Sequence, residues 1–408
     1  MVNFSKILGL EQLKHDDGIL GIFDGDEMRI TTSSYSAVTL AKLFWRYGLD
    51  IYNIRSWVKD VTEKFSRIYT IQDAGFAYTS VMDLLQAMDP VFVKYMKKSI
   101  KSVLKADGYS DRFIDEFVTG AMRTNYGQNA DIHGFVGAVS LAGVEPGLWS
   151  VKGGNYRIPE NLIPLSKINL IQGDVKSITL LEYQESNYEL RYLPTSPKLA
   201  NNAEIQTKGY DVIVIANPMH DGFPDIKFED FPNEIKNFPQ KFHRIIATFV
   251  DGVPNNTHYG FENLDGFPST ILTCKNDLFL NSYGKHNDVL GNPAEKSVGD
   301  RSVGKIFTNR PPTEQEVNIY FKKKEDVRMV NWLAYPEYDF DIDNLPPFVL
   351  HDNMYYINGI EMAASAMEMS VIGARNVALL SYNHWYGHLD KIDEPYVDPS
   401  QKSDKAEL

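Results

Sequence analysis

The spacing of apolar residues changes once along the chain, and this change limits the fold more than any other feature. From residue 33 to 125 the apolar positions step by three and four. Ile51, Ile54, Val58, Val61, Phe65 and Ile68 fall on one helix face. Asp89-Pro90 supplies a capping acid and a proline for the first turn of another helix. Phe92, Met96, Ile100, Val103 and Leu104 form its stripe, and Gly108 stands where a C-terminal glycine cap belongs. Ser110 can cap a further helix carrying Phe113, Phe117 and Met122. After Tyr126-Gly127 short β-type runs take over, at 168–171, 175–181, 188–193, 211–216, 244–250, 270–274 and 278–282, with turn residues between them. The run 211–216 reads as a strand buried on both faces. Residues 195–208 and 284–302 read as exposed loops, and the polar tail after Asp390 as disordered. The fold class expected is mixed α/β, and 408 residues leave room for two or three domains.

The charge balance excludes one class of partner. A net charge of −13 opposes nucleic acid, which needs a concentrated positive face. The basic run Lys322-Lys323-Lys324 is followed at once by Glu325-Asp326 and reads as a solvated face. The single cysteine, Cys274, rules out a disulfide within the chain, a Cys-x-x-Cys redox pair and a thiolate zinc site. No apolar run approaches the ~18 residues of a membrane span. No basic segment leads into an apolar core after Met1, so no signal peptide is visible; taken literally, that suggests the cytosol. The 22 Phe, 23 Tyr and 5 Trp lean towards large apolar pockets.

The string 355–361 (Tyr-Tyr-Ile-Asn-Gly-Ile-Glu) runs into Ala363-Ala364-Ser365-Ala366-Met367. It reads as a short strand, a glycine turn with an acid, and a helix opening on small residues. Such a helix end favours an anion or a developing negative charge. Gly153-Gly154 lets the backbone approach a ligand or a neighbouring strand, or serves as a tight turn. Residues 122–128 (Met-Arg-Thr-Asn-Tyr-Gly-Gln) and 332–336 (Trp-Leu-Ala-Tyr-Pro) could line a site, or be a helix end and core. His384 and His388 have the spacing of a metal pair but lack a third ligand, so no metal is expected. Asp24-Gly25-Asp26 reads as a turn. Asn255-Asn256-Thr257 is a glycosylation sequon.

Read in order, the strings 43–48 (Leu-Phe-Trp-Arg-Tyr-Gly), 122–128, 135–141 (Phe-Val-Gly-Ala-Val-Ser-Leu), 147–155, 332–336 and 350–370 resemble the prenylcysteine oxidase family, also called prenylcysteine lyase, within the wider flavin amine-oxidase fold. The resemblance implies an FAD-dependent thioether oxidase. Its substrate is farnesyl- or geranylgeranyl-cysteine, dioxygen is the acceptor, and the products are a prenyl aldehyde, free cysteine and hydrogen peroxide. It implies cofactor roles for Gly153, Gly154 and Val175, the last beside the adenine. It also implies that Glu361, in the turn begun by Gly359, binds the ribityl chain, and that the Met367 N–H meets the flavin pyrimidine oxygen. Arg123 is assigned to the substrate carboxylate, with Tyr126, Trp332 and Tyr335 around the substrate. Asn255 is the glycosylation position, in a lysosomal or secreted protein.

One departure from the family pattern stands out. The sequence contains no Gly-x-Gly, so the unit that cradles pyrophosphate is expected to be missing and FAD to bind weakly. The expected architecture is a truncated FAD-binding Rossmann-like domain interleaved with a helical and β-sheet substrate domain. Residues 1–145 form a mainly helical substrate part, 146–217 an FAD part, 218–345 a substrate β-sheet, 346–390 a C-terminal FAD strand and helix, and 391–408 a tail. Non-catalytic prenyl or lipid binding, and an inactive truncated product, are the alternatives.

Overall fold

Helices fill most of residues 36–142, so they extend past the expected change at Tyr126-Gly127 to Ala142, and all but three of the strands fall within 149–356. The computed structural model describes residues 1–14, 18–143, 147–181, 187–195, 204–286, 288–291 and 301–397. The chain forms two units, each drawn from three stretches of sequence.

The first unit comprises Met1–Thr62, Tyr95–Ser166 and Phe242–Phe340. Its seven-stranded sheet runs in the order Phe321–Pro336, Phe242–Pro254, Ser302–Thr308, Leu280–Lys285, Thr270–Thr273, Leu20–Phe23 and Met28–Thr31. All neighbours are antiparallel except Thr270–Thr273 with Leu20–Phe23. Period-two alternation sends Phe23, Val250, Ile271, Ile306 and Phe321 into one core with Val317 and Tyr320 of the helix Glu314–Tyr320. Each of these side chains contributes roughly 1.5–3 kcal/mol by leaving water. A capping box between Thr313 and Glu316 opens that helix. Ser110 caps the helix Asp111–Phe113 as the sequence implies; the stripe expected on one helix from Pro90 divides into Pro90–Met96 and Ile100–Ala106, the second capped by Ser99. A π-helical turn at Ile114–Val118 then joins Asp111–Phe113 to Thr119–Tyr126, and Gly127 ends the segment at φ +66°.

The second unit comprises Glu63–Lys94, Lys167–Lys241 and Asp341–Leu408. A four-stranded sheet orders Gln206–Tyr210, Tyr188–Pro194, Gly173–Leu180 and Lys227–Glu229. A three-stranded sheet orders Val349–His351, Met354–Tyr356 and Ile213–Ile215. Ile178 and Tyr188 from one sheet pack with Ile213, Ile215, Met354 and Tyr356 from the other. The helix Met367–Tyr386 is fixed by buried amides: Gln72 donates to the Ile372 carbonyl, and Asn383 to that of Gly75.

Four expectations are corrected. Residues 168–171 lie outside any strand, with Ile168 and Leu170 well exposed, because pairing begins only at Gly173. The run 211–216 shortens to Ile213–Ile215 and is not buried on both faces: it is an edge strand, and Val214 is 45% exposed. The expected domain limits also shift. Residues 63–94 and 218–241 pack in the second unit, while 146–166 pack in the first. The tail is ordered beyond Asp390, since the Asp393 carboxylate accepts from the Thr79 N–H and hydroxyl at 2.7 Å each. Residues 398–408, and most of the two expected loops (196–203 and 292–300), lie outside the described residues. Among the described residues no helix is long and apolar enough to cross a membrane.

Candidate functional site

In the second unit, two neighbouring parallel strands end side by side. Met354–Tyr356 pairs with Ile213–Ile215, and pairing persists to the last residue: the Ile357 N–H donates to the Ile215 carbonyl at 3.0 Å. Beyond the strands, Asn358 Nδ2 donates to the Ala216 carbonyl at 2.9 Å. The carboxyl ends of parallel strands are where α/β sheets leave a crevice for ligands. A 3₁₀ turn, Asn358–Met362, follows. Gly359 is required there by close packing, since a Cβ would stand 2.7 Å from the Pro346 carbonyl oxygen. Ala363 and Ala364 are fully buried, and the helix begins at Met367.

Two groups at this turn have unmet hydrogen-bonding capacity. Glu361 is largely buried, and no donor reaches its carboxylate among the described residues; burial pushes its pKa up to about 7. Ala366 offers no side-chain cap, and no acceptor among the described residues meets the Met367 N–H at the positive end of a 20-residue helix. An acceptor lacking a donor beside an uncapped helix start suits a ligand with hydroxyls and a group that gains negative charge. Both features fit the ribityl chain and ring of a flavin. Val175, half-buried on the strand Gly173–Leu180, packs on the core of the same unit.

Sequence reasoning missed the support beneath the turn. His220 is fully buried, its Nδ1 lies 3.0 Å from the Gln240 carbonyl, and burial lowers its pKa. A neutral ring that donates through Nδ1 leaves Nε2 to accept from the Tyr356 hydroxyl at 3.4 Å. That hydroxyl also accepts the Met219 N–H at 3.2 Å, which ties the strand carrying the turn to residues 219–220. A lone histidine 136 positions from its partner gives no sequence signal.

The remaining expected residues, His384 and His388 apart, lie in the first unit, and one is corrected outright. Arg123 is 1% exposed, and all of its donors are engaged within the protein. Nε donates to Thr273 Oγ1, Nη1 to Asn129 Oδ1 and the Asn276 carbonyl, and Nη2 to the carbonyls of Leu278 and Leu280, at 2.7–3.1 Å. No donor remains for a substrate carboxylate; the guanidinium instead fastens residues 273–280 to the helix. Tyr126 is buried and packs edge-on against Tyr335 and Tyr338, with ring centroids 5.0 and 5.3 Å apart. Trp332, on the same strand as Tyr335, is 37% exposed. Gly153 and Gly154 form a tight turn at φ +84° and +111°. Their N–H groups donate to the carbonyls of Val289 and Val151, so neither amide is open to a cofactor. Asn255 precedes a 3₁₀ turn, and its amide donates to the Ile319 carbonyl at 2.8 Å. Asp24 closes its turn by accepting the N–H groups of Asp26 and Glu27. His384 bonds to the Tyr355 hydroxyl at 2.9 Å, and His388 stacks on Tyr382.

The fold has solved counterparts. Structures of putrescine oxidase with redesigned cofactor binding superpose with TM-scores of 0.53 and 0.54 at 10% and 9% identity, covering 93% of this chain and 85% of theirs. The chain therefore shares its fold with putrescine oxidase. Residues 30–394 match the prenylcysteine lyase family. Prenylcysteine oxidase 1 of Homo sapiens is 37% identical over 403 residues, which span 97% of this chain and 78% of that protein. Prenylcysteine oxidase 1-like of Mus musculus is 34% identical over 402 residues, spanning 97% and 80%. The chain belongs to the prenylcysteine lyase family, the family that the ordered strings pointed to.

Proposed function

We propose that the protein is an FAD-dependent thioether oxidase. It cleaves farnesyl- or geranylgeranyl-cysteine, with water and dioxygen, to a prenyl aldehyde, free cysteine and hydrogen peroxide. The observation that carries this reading is the Glu361 carboxylate, largely buried without a donor among the described residues at the ends of two parallel strands. FAD, when bound, supplies the acceptor for hydride from the carbon next to sulfur. Glu361 accepts hydrogen bonds from ribityl hydroxyls, which relieves its burial. The open helix start at Met367 favours negative charge on the ring. Val175 flanks the adenine. In the first unit, Trp332 and Tyr335, with Tyr126 packed behind Tyr335, offer aromatic surface to the prenyl chain. Each buried CH₂ of that chain contributes ~0.8 kcal/mol, so binding rests largely on apolar contact.

No Gly-x-Gly occurs in these 408 residues, so a polypeptide limited to them holds FAD weakly. The compartment we assign is the lysosome or the secretory route, on the strength of the sequon at Asn255, whose Thr257 is exposed. The test supplies the protein with saturating FAD and S-farnesylcysteine. Equal amounts of farnesal, cysteine and peroxide are expected. A folded, flavin-loaded protein that releases none of them overturns the reading.

A further inference from the structure

The strand Ser302–Thr308 presents its two faces to different surroundings. Gly304, Ile306 and Thr308 are buried, and Ile306 belongs to the apolar core. Alternation turns Lys305 and Phe307 the other way, onto the wall of a cavity of about 430 Å³ inside the first unit. That volume lies within the range of small-molecule sites. Thr124, Gly154, Ser282 and Asp288 also line it.

Two polar groups on this wall lack partners. Lys305 is half-buried, with its Nζ 4.4 Å from the centroid of the Phe307 ring. No acid or hydrogen-bond acceptor among the described residues meets the ammonium, and the lowering of its pKa has burial as its sole cause. The Thr124 hydroxyl is buried and has no hydrogen-bond partner among the described residues. A desolvated cation and an unsatisfied hydroxyl lining one cavity cost stability unless a ligand compensates. Two other ammonium groups of this unit do meet acids: Lys275 faces Asp26, and Lys324 faces Glu314.

We propose that Lys305 and Thr124 form the receptor for the α-carboxylate of the cysteine substrate, a role that Arg123 cannot fill. This rests on the prenylcysteine reading above and names the residues that recognise the amino-acid head. The ammonium supplies the charge, the Thr124 hydroxyl donates a second hydrogen bond, and Phe307 holds the lysine chain against the wall. Lys305 is a binding residue that selects free prenylcysteine over a carboxyl-blocked form.

Calorimetric titration of S-farnesylcysteine and its methyl ester into the protein tests this directly. The acid is expected to bind roughly tenfold or more tighter than the ester, because only the acid carries the charge that Lys305 meets. Lys305→Met abolishes the preference and leaves ester binding unchanged, and Lys305→Arg retains part of it. Equal binding of acid and ester by the unaltered protein, or a preference that survives Lys305→Met, overturns the proposal and leaves the prenylcysteine reading standing. Failure of both compounds to bind removes that reading, and this proposal with it.

Discussion

Asn376 and Tyr78 are bonded twice: the Tyr78 N–H donates to Asn376 Oδ1 at 2.9 Å, and Asn376 Nδ2 donates to the Tyr78 carbonyl at 2.7 Å. Asn376 is fully buried in the helix Met367–Tyr386, so one side chain replaces a strand neighbour for the backbone at residue 78. Asn376→Leu leaves two buried backbone groups unbonded, and unfolding in urea should show a loss of about 3 kcal/mol. An unchanged midpoint would mean that water or a shifted chain replaces both bonds.

Glu361 makes the second unit sensitive to pH in the cofactor-free protein. Its carboxyl titrates near 7 when folded against an ordinary 4.5. Between those values the folded state holds a proton that the unfolded chain has lost, so stability falls as pH rises through this window and levels off above it. Glu361→Gln cannot ionise. It should therefore be more stable than the native protein above the window, by on the order of 2 kcal/mol, and equal below it. Denaturant curves at about pH 5 and about pH 8 check this, and a native protein with no slope there contradicts it.

Arg123 predicts a substitution that is conservative in charge and not in effect. Lysine carries one nitrogen, whereas the Arg123 fork reaches five acceptors on both sides of the residues 273–280 turn. Arg123→Lys should destabilise the first unit by about 3 kcal/mol or more, read as a lower urea midpoint. The same variant should leave the affinity for farnesylcysteine in the folded protein within roughly twofold.

Gly359→Ala probes the packing beneath the turn. The new methyl would stand 2.7 Å from the Pro346 carbonyl oxygen, a backbone atom that cannot rotate away. A loss of about 1–3 kcal/mol and weaker FAD binding are expected together, because the shifted turn carries Glu361 with it. Normal stability with weak FAD binding would show that Gly359 meets the cofactor itself.

Much of the fold was legible because it follows from local rules. The serine cap at Ser110, the proline start at Pro90 and the apolar stripe from Ile51 to Ile68 all act within a few residues of themselves. The strand 211–216 was misjudged because apolar sequence reports what a strand can bury, whereas pairing decides what covers it; Val214 faces outward on an edge. Arg123 misled for a related reason. Its acceptors are mostly carbonyls about 155 residues away, which no sequence pattern reveals. The turn at Gly359-Ile360-Glu361 was readable as a string, but the lack of a donor at Glu361 and the His220–Tyr356 support beneath it emerge only from the packing.

The account rests on the turn after Met354–Tyr356 as the seat of a flavin. Solving the structure with FAD bound tests that claim most directly. The account predicts ribityl hydroxyls on the Glu361 carboxylate and the ring's pyrimidine edge at the Met367 N–H. A flavin bound elsewhere, with Glu361 still lacking a donor, would contradict it.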